Sequence, residues 1–287
     1  MLPAILYIVV LVGFPFFLAI AYSLSDVTVG EQSLDFVGLR NFIDIVQNST
    51  FQRSLENSFI FTFASQALML VLATVLALTL STNFRGKGVA RFLILLPWTT
   101  PIVLGTIGWL WVLDSIFSPV DWILRVVHLL GPGTPLGPNT NLYWLGRPEL
   151  AMVSVILVQT WRMLPLATVI LLAGIASIPQ DILDAAEVDG AGFWRRLFQI
   201  SIPMLLPIMV VAVLFGVVIT FTDMTVVYVL TRGGPIDSTQ VLANWAFFKG
   251  ILGGNLAQGA AIALFLFPVL LGVAVLMLRL ARRTEVT

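Results

Sequence analysis

The chain has 287 residues, of which 59% are hydrophobic and only 10% are charged, with 15 Lys and Arg balanced by 15 Asp and Glu. A soluble domain has roughly 45–50% apolar and about 25% charged residues, so a chain with a mean hydropathy of +1.00 cannot cover its surface in water. The zero net charge gives no field that favours a nucleic acid as partner, and the lack of Cys excludes disulfides, thiol catalysis and Cys-ligated metals.

Six continuous apolar stretches are long enough to cross a bilayer as helices, because one crossing needs about 20 apolar residues. They cover about residues 2–24, 58–80, 92–113, 150–173, 204–230 and 257–280. None of them alternates in polarity as a membrane β-strand does. The sequence therefore predicts an all-α, polytopic membrane protein with one transmembrane domain over residues 1–287.

The first stretch has a second interpretation as a cleaved signal peptide. Ala19-Ile20-Ala21 resembles a small-x-small cleavage site that follows an apolar run. No positive charge precedes this run, and it exceeds the about 7–15 residues of a signal core. We therefore expect an uncleaved span, and the sequence leaves open whether a basic leader precedes it.

Basic residues are concentrated in the short connections on one side of the predicted bundle. The connections after spans two and four and the C-terminal tail contain Arg85, Lys87, Arg91, Arg195, Arg196, Arg279, Arg282 and Arg283. The basic residues of the other side are spread over longer loops. Because short cytoplasmic connections are enriched in Lys and Arg, this bias predicts that both termini are cytoplasmic.

The connection of about residues 178–203 is predicted to form two short helices around a bend. Pro179 suits the first turn of a helix, and Gly190 and Gly192 can supply the turn that ends it. Ile182, Ala185, Ala186 and Asp189 follow one helical face. Their alanines make that face shallow, so the groove of another protein could close over it.

The same connection resembles the EAA loop of ABC importer permeases. Asp184-Ala185-Ala186 is followed by Asp189-Gly190-Ala191 and then by Ile200-Ser201-Ile202-Pro203. The family pattern is Glu-Ala-Ala, three residues, Gly, and later Ile-x-Leu-Pro. This chain has Asp184 in place of Glu and Ile202 in place of Leu, changes that keep the charge and the apolar character.

The resemblance extends along nearly the whole chain. Phe36–Phe42 is similar to the family segment F-x-G-L-x-N-F, and Leu96-Pro97-Trp98 with Pro101 resembles the start of span three. Thr231-x-Gly233-Gly234-Pro235 resembles the end of span five in carbohydrate permeases. The chain is thus similar to the branch of maltose, glycerol-3-phosphate and oligosaccharide importers.

The resemblance implies the architecture of a type I ABC importer permease, with six transmembrane helices and a cytoplasmic coupling helix, in a bacterial or archaeal cytoplasmic membrane. It also implies as partners a second homologous permease, two ATP-binding subunits and an extracytoplasmic solute-binding protein, besides membrane lipid. The chain has no G-x-x-x-x-G-K-[ST] loop, so ATP and Mg²⁺ belong to partner subunits and no cofactor, metal or catalytic residue is expected here. The residues expected to couple to the ATPase are Asp184, Ala185, Ala186, Asp189, Gly190 and Ala191.

Two ionisable residues inside spans point to a polar pathway, because charges in the bilayer are costly. Arg162 is near the middle of span four and Asp223 is in the outer half of span five. The resemblance places bound sugar in this region of span five. The expected substrate-binding residues are Gly216, Ile219, Thr220 and Asp223 on one face of span five, and Gln159, Arg162, Met163 and Leu166 on span four. The alternative is that Arg162 and Asp223 only pair structurally, with each other or with the partner permease.

These patterns favour a permease subunit that translocates a sugar or oligosaccharide, and three alternatives remain. A phosphorylated polyol such as glycerol-3-phosphate could be received by Arg162, the only basic residue in a predicted span core. A stand-alone secondary carrier would need internal repeats or several intramembrane acids, and neither is evident. An intramembrane enzyme would need a catalytic set that one histidine, His128, cannot supply.

Overall fold

Helices make up most of residues 2–30 and 34–284, the part of the chain that the computed structural model describes. In chain order they are α1 (Leu2–Ile8), α2 (Phe14–Ser23), α3 (Arg40–Val46), α4 (Ser49–Ser81), α5 (Lys87–Thr99), α6 (Ile102–Val112), α7 (Pro119–Val126), α8 (Pro148–Ala176), α9 (Gln180–Val188), α10 (Phe193–Arg196), α11 (Ile202–Thr222), α12 (Thr225–Leu230), α13 (Leu242–Phe247) and α14 (Leu256–Thr284). Three π-helical turns, Val9–Gly13, Leu197–Ser201 and Phe248–Leu252, adjoin these helices. The described residues form no strands, and the predicted all-α class is confirmed.

Among the described residues, five helical stretches are long and apolar enough to cross a membrane: Ile5–Ser23, Ser49–Ser81, Pro148–Ala176, Phe193–Thr222 and Leu256–Leu276. The pair α5 and α6 passes the same test together and gives a sixth crossing if it is one bent span. The positions match the six predicted spans. Several helices extend beyond the predicted spans, and the extension is longest for α4, which begins at Ser49, and for the fifth stretch, which begins at Phe193.

The third predicted span is not one straight helix. Helices α5 and α6 meet at an angle of 101°. Thr100 between them is extended, with ψ of 131°, as expected for a residue whose neighbour is proline. Pro101 also lacks the N–H that would continue the helix. The predicted span over 92–113 is therefore bent near Pro101, a feature that hydropathy does not report.

The fifth predicted span also breaks before its expected end at residue 230. Helix α11 ends at Thr222, and α12 begins at Thr225. Asp223 Oδ1 accepts hydrogen bonds from the backbone N–H groups of Thr225 and Val226. This carboxylate thus satisfies two of the N–H groups that a new helix start leaves without partners, and it favours a break at this point.

The described residues group into two compact units. The first draws on Met1–Ile60, Leu110–Val155 and Phe221–Leu270, and the second on Phe61–Trp109, Ile156–Thr220 and Leu271–Thr287. The first unit has a core cluster of Ile45, Phe51, Leu242, Trp245, Ala261 and Ile262. The second has a cluster of Met69, Ala73, Ala77, Met163, Ala167 and Leu171. The second cluster contains three alanines, and such small residues favour close packing of membrane helices.

Side chains organise the long connection between α6 and α8 in the first unit. The buried carboxylate of Asp121 accepts hydrogen bonds from Trp144 Nε1 at 2.8 Å and from the Leu142 N–H at 3.1 Å. Asp114 Oδ1 accepts the N–H groups of Phe117 and Ile116, and these bonds lower the pKa of the Asp114 carboxyl. The connection is therefore held by specific polar contacts, although its Gly- and Pro-rich sequence prevents regular structure.

Candidate solute path and coupling segment

Three buried polar residues from α4, α8 and α11 meet inside the second unit, and we call them the amide hub. Gln66 Nε2 donates to Thr220 Oγ1 at 3.0 Å, and Gln159 Nε2 donates to the same oxygen at 2.9 Å. The exposed fractions of Gln66, Gln159 and Thr220 are 3%, 0% and 1%. Within the described residues, Oε1 of both glutamines has no hydrogen-bond partner. The hub therefore retains buried acceptor atoms inside the second unit.

Gly216 lies one helical turn before Thr220 and borders the hub. A Cβ atom placed on Gly216 would lie 1.9 Å from Gln66 Oε1. The space beside this glycine is thus filled by the amide of Gln66. Sequence reasoning did not include Gln66, although a glutamine within an apolar 33-residue helix is itself a sign of a polar contact.

Three of the predicted path residues pack in the apolar core of the second unit. Met163 is fully buried in the cluster that contains Ala73 and Ala167, and Leu166 and Ile219 pack against that cluster. Such contacts stabilise the bundle through packing and van der Waals attraction, as is usual between membrane helices. Neighbours of the same subunit enclose Met163, whereas Leu166 and Ile219 remain partly exposed.

The two ionisable path residues are only partly buried. Arg162 lies on α8 in the second unit, and Asp223 lies between α11 and α12 in the first. One carboxylate oxygen of Asp223 is engaged by the start of α12. Asp223 thus has a structural role that the sequence did not reveal, and its proposed role toward a solute stays a prediction.

The predicted coupling segment folds as two short helices, α9 and α10, joined by a glycine turn. The N–H of Asp189 donates to the Ala185 carbonyl at 3.0 Å, and the N–H of Ala191 donates to the Ala186 carbonyl at 2.9 Å. Gly190 between them has a φ of +74°, a left-handed conformation that closes helix C-termini and favours glycine. An Arg196–Glu187 ion pair at 3.3 Å connects the two helices.

Most of the predicted coupling face is open to solvent. Ile182, Asp184, Ala185 and Asp189 are exposed, whereas Ala186 is 7% exposed and packs against its own chain. Val188 and Trp194 add a large apolar surface at the same segment, with exposed fractions of 88% and 68%. Val188 lies on α9 and Trp194 lies at the start of the fifth apolar stretch, so each of the two helices carries exposed apolar surface.

The described residues contain no group of three or more His, Cys, Asp or Glu that could hold a metal ion. The polar features of this part of the chain are instead amide, hydroxyl and backbone groups in the bundle and charged residues at its connections.

Comparison with known proteins agrees with this architecture. The chain is 30% identical over 247 residues to the trehalose/maltose transport system permease protein MalF of Thermococcus litoralis, covering 86% of this chain and 80% of that protein. It is 29% identical over 280 residues to the trehalose transport system permease protein SugA of Mycobacterium tuberculosis, covering 97% and 86%. It is 26% identical to the diacetylchitobiose uptake system permease protein DasB of Streptomyces coelicolor, covering 99% and 86%.

Solved structures show the same fold. A bacterial alginate ABC transporter, in complex with an alginate pentasaccharide-bound periplasmic protein, contains a chain that superposes with a TM-score of 0.79 at 19% identity, covering 98% of this chain and 92% of that one. Residues 69–286 match the family described as "Binding-protein-dependent transport system inner membrane component". This match covers most of the chain, so the protein belongs to that family and is a multi-pass permease subunit of an ABC transporter.

Proposed function

We propose that this permease translocates a sugar or oligosaccharide into the cell. The proposal rests on the resemblance of its EAA loop and span-five ending to carbohydrate permeases. It is supported by relatives whose names specify trehalose, maltose and diacetylchitobiose. A buried hub of amide and hydroxyl groups in the bundle is consistent with a polyhydroxy solute, since such groups can both donate to and accept from hydroxyls.

The working complex contains this chain, a second homologous permease, two ATP-binding subunits and an extracytoplasmic solute-binding protein. ATP and Mg²⁺ are bound by the ATP-binding subunits. Both termini and the α9–α10 connection face the cytoplasm, in agreement with the positive-inside rule. The solute-binding protein then meets the opposite face.

The α9–α10 connection transmits the movement of the ATPase to the bundle. The observation that carries this step is the exposed surface of Ala185, Val188 and Trp194 on two short helices that are connected by the Gly190 turn and the Arg196–Glu187 ion pair. A short rigid element can move as a body when its binding cleft closes. Asp184 and Asp189 add charges that a basic ATPase cleft would recognise.

The coupling step is tested by Ala185→Glu, which places a charged side chain on the exposed face of α9. We expect the variant to fold but to lose co-purification with its ATPase subunits, since a carboxylate buried in an interface without a partner is strongly unfavourable. The matched control is Gln199→Glu, the same added charge at an exposed position outside α9. Retained ATPase binding by Ala185→Glu, or equal loss in Gln199→Glu, would contradict the proposed docking face.

A phosphorylated polyol is the second candidate solute, and Arg162 is the feature that favours it. Arg162 is a partly buried cation within α8, and a guanidinium binds phosphate strongly. Calorimetry of the cognate solute-binding protein against neutral sugars and glycerol-3-phosphate separates the two. Binding of neutral sugars alone supports the first proposal, and binding of the phosphate ester alone replaces it with the second.

A further inference from the structure

A cleft with a cationic entrance lies at the end of the second unit where α4 ends and α5 begins. Its cavity of about 370 Å³ is lined by Lys87 and Arg91 of α5 together with Leu172, Ile175 and Leu183. Leu183 belongs to α9, so the cleft borders the coupling segment. The cleft thus combines two long basic side chains with an aliphatic wall.

An apolar groove continues from this cleft along α5 and α8. The groove has a volume of about 260 Å³ and shares Arg91 and Leu172 with the cleft. Its further lining includes Ile94, Leu95 and Val169. The side chains of Leu95 and Val169 are 40% and 49% exposed, so neighbours in the described chain leave this surface partly uncovered.

Both charged residues that line the cleft are basic, and Asp184 of α9 lies next to the lining, where its Oδ1 accepts a hydrogen bond from Gln180 Nε2. Lys87 and Arg91 are separated by one helical turn and share a face of α5, and no carboxylate of the described residues forms an ion pair with either. None of the residues that line the cleft or the groove is acidic. The N-terminus of α5 at Lys87 also has no side-chain cap, so its free N–H groups add to the positive potential.

We propose that this cleft binds an anionic phospholipid, with its phosphate at Lys87 and Arg91 and one acyl chain in the groove beside Leu95 and Val169. The inference rests on the orientation given under the proposed function, which places the entrance in the cytoplasmic leaflet, where juxtamembrane cations attract anionic lipids. A soluble anion would use the two cations but not the groove. A zwitterionic lipid has no net charge, so the two cations would attract its headgroup less strongly. Since Leu183 of α9 lines the same cavity, the lipid contacts the coupling segment directly.

The test is lipid titration of the purified full-length chain in a neutral detergent, followed by native mass spectrometry. We expect phosphatidylglycerol to bind at one site more tightly than phosphatidylcholine with the same acyl chains. The double variant Lys87→Gln/Arg91→Gln is expected to bind phosphatidylglycerol about 30-fold more weakly, which corresponds to roughly 1 kcal/mol for each cation near the membrane surface. The control Arg85→Gln/Arg195→Gln removes two nearby cations outside the cleft and should retain the affinity.

Two further measurements separate the lipid from other occupants. Val169→Trp fills the groove and should weaken phosphatidylglycerol binding, while excess inorganic phosphate should not displace the lipid. Equal affinity for phosphatidylcholine, full affinity in Lys87→Gln/Arg91→Gln, or displacement by phosphate would overturn the proposal. Loss of the lipid upon assembly with the ATPase subunits would overturn it too, because the cleft would then belong to that interface.

The titration contains neither solute nor nucleotide, so its outcome is independent of transport. Lipid binding without sugar uptake would leave the cleft assignment intact and contradict the proposed function. Sugar uptake without lipid binding would support the proposed function and contradict the lipid site. The two proposals can therefore fail separately.

Discussion

The amide of Gln66 lies where the side chain of any residue other than glycine at position 216 would have to be. Gln66 is not a mobile surface side chain, because it is buried and donates to Thr220 Oγ1 at 3.0 Å. Moving it would break this bond and leave a buried polar group without a hydrogen-bond partner, which costs free energy. The packing of three residues is therefore linked. The missing side chain of Gly216 leaves room for the amide of Gln66, and this position lets Gln66 bind Thr220.

We predict that Gly216→Ala lowers the free energy of unfolding by about 2 kcal/mol, through overpacking and the lost hydrogen bond. Unfolding of the purified chain in mixed micelles measures the effect. The second substitution Gln66→Ala should restore part of the stability, as a double-mutant cycle reports for residues in contact. Gly272→Ala is the control, since no atom lies within 4 Å of the Cβ that it adds; a similar loss there would show that the effect is not specific to the hub.

At the scale of elements, two of the predicted spans are interrupted, one at a proline and the other at a carboxylate. Pro101 separates α5 from α6 by removing an N–H and forcing Thr100 into an extended conformation. Asp223 separates α11 from α12 by binding the first N–H groups of the new helix. Interrupted membrane helices expose backbone polar groups, and these are tolerated where protein or water satisfies them.

We predict different results for two substitutions of Asp223. Asp223→Ala removes the oxygen that binds the start of α12 and should lower stability by about 1 kcal/mol, as for other helix caps. Asp223→Asn keeps an acceptor oxygen, so it should fold and assemble normally. If the charge also lines the solute path, Asp223→Asn loses uptake despite normal assembly.

Unfolding in mixed micelles and uptake by the reconstituted transporter give the two readouts. Full uptake by Asp223→Asn would assign Asp223 a structural role only. Equal destabilisation by both substitutions would instead contradict the role of the neutral acceptor oxygen at α12.

The positions of the spans were predictable because burial in lipid requires long apolar runs, and the two helices of the coupling segment because Pro179, Gly190 and Gly192 mark their ends. Three-dimensional neighbours were not predictable in the same way. Helical spacing put Ala186 on the exposed face with Ala185, but Ala186 packs against its own chain. Likewise, the spacing of Gly216 and Thr220 indicated a shared face, but not that Gln66 of another helix fills it.

At the scale of the whole molecule, the proposals on coupling and on lipid binding share one requirement, that the α4–α5 and α9–α10 connections face the cytoplasm. The first contains Arg85 and Lys87 and the second contains Arg195 and Arg196. Under this proposed orientation, we expect the connection between α6 and α8, which is held by Asp121, outside the cytoplasm. A membrane potential that is negative inside and anionic lipids in the inner leaflet both favour this orientation.

The absence of Cys in the chain makes this orientation directly measurable. We predict that a single cysteine from Asn139→Cys, at an exposed position between α7 and α8, reacts with a membrane-impermeant maleimide in spheroplasts. A cysteine from Asn83→Cys, at an exposed position between α4 and α5, should react only in inverted vesicles, and the cysteine-free parent chain in neither. Reaction of Asn83→Cys in intact spheroplasts would contradict the predicted orientation and indicate the opposite one. It would move the Lys87–Arg91 cleft to the outer leaflet and separate α9 from any cytoplasmic ATPase.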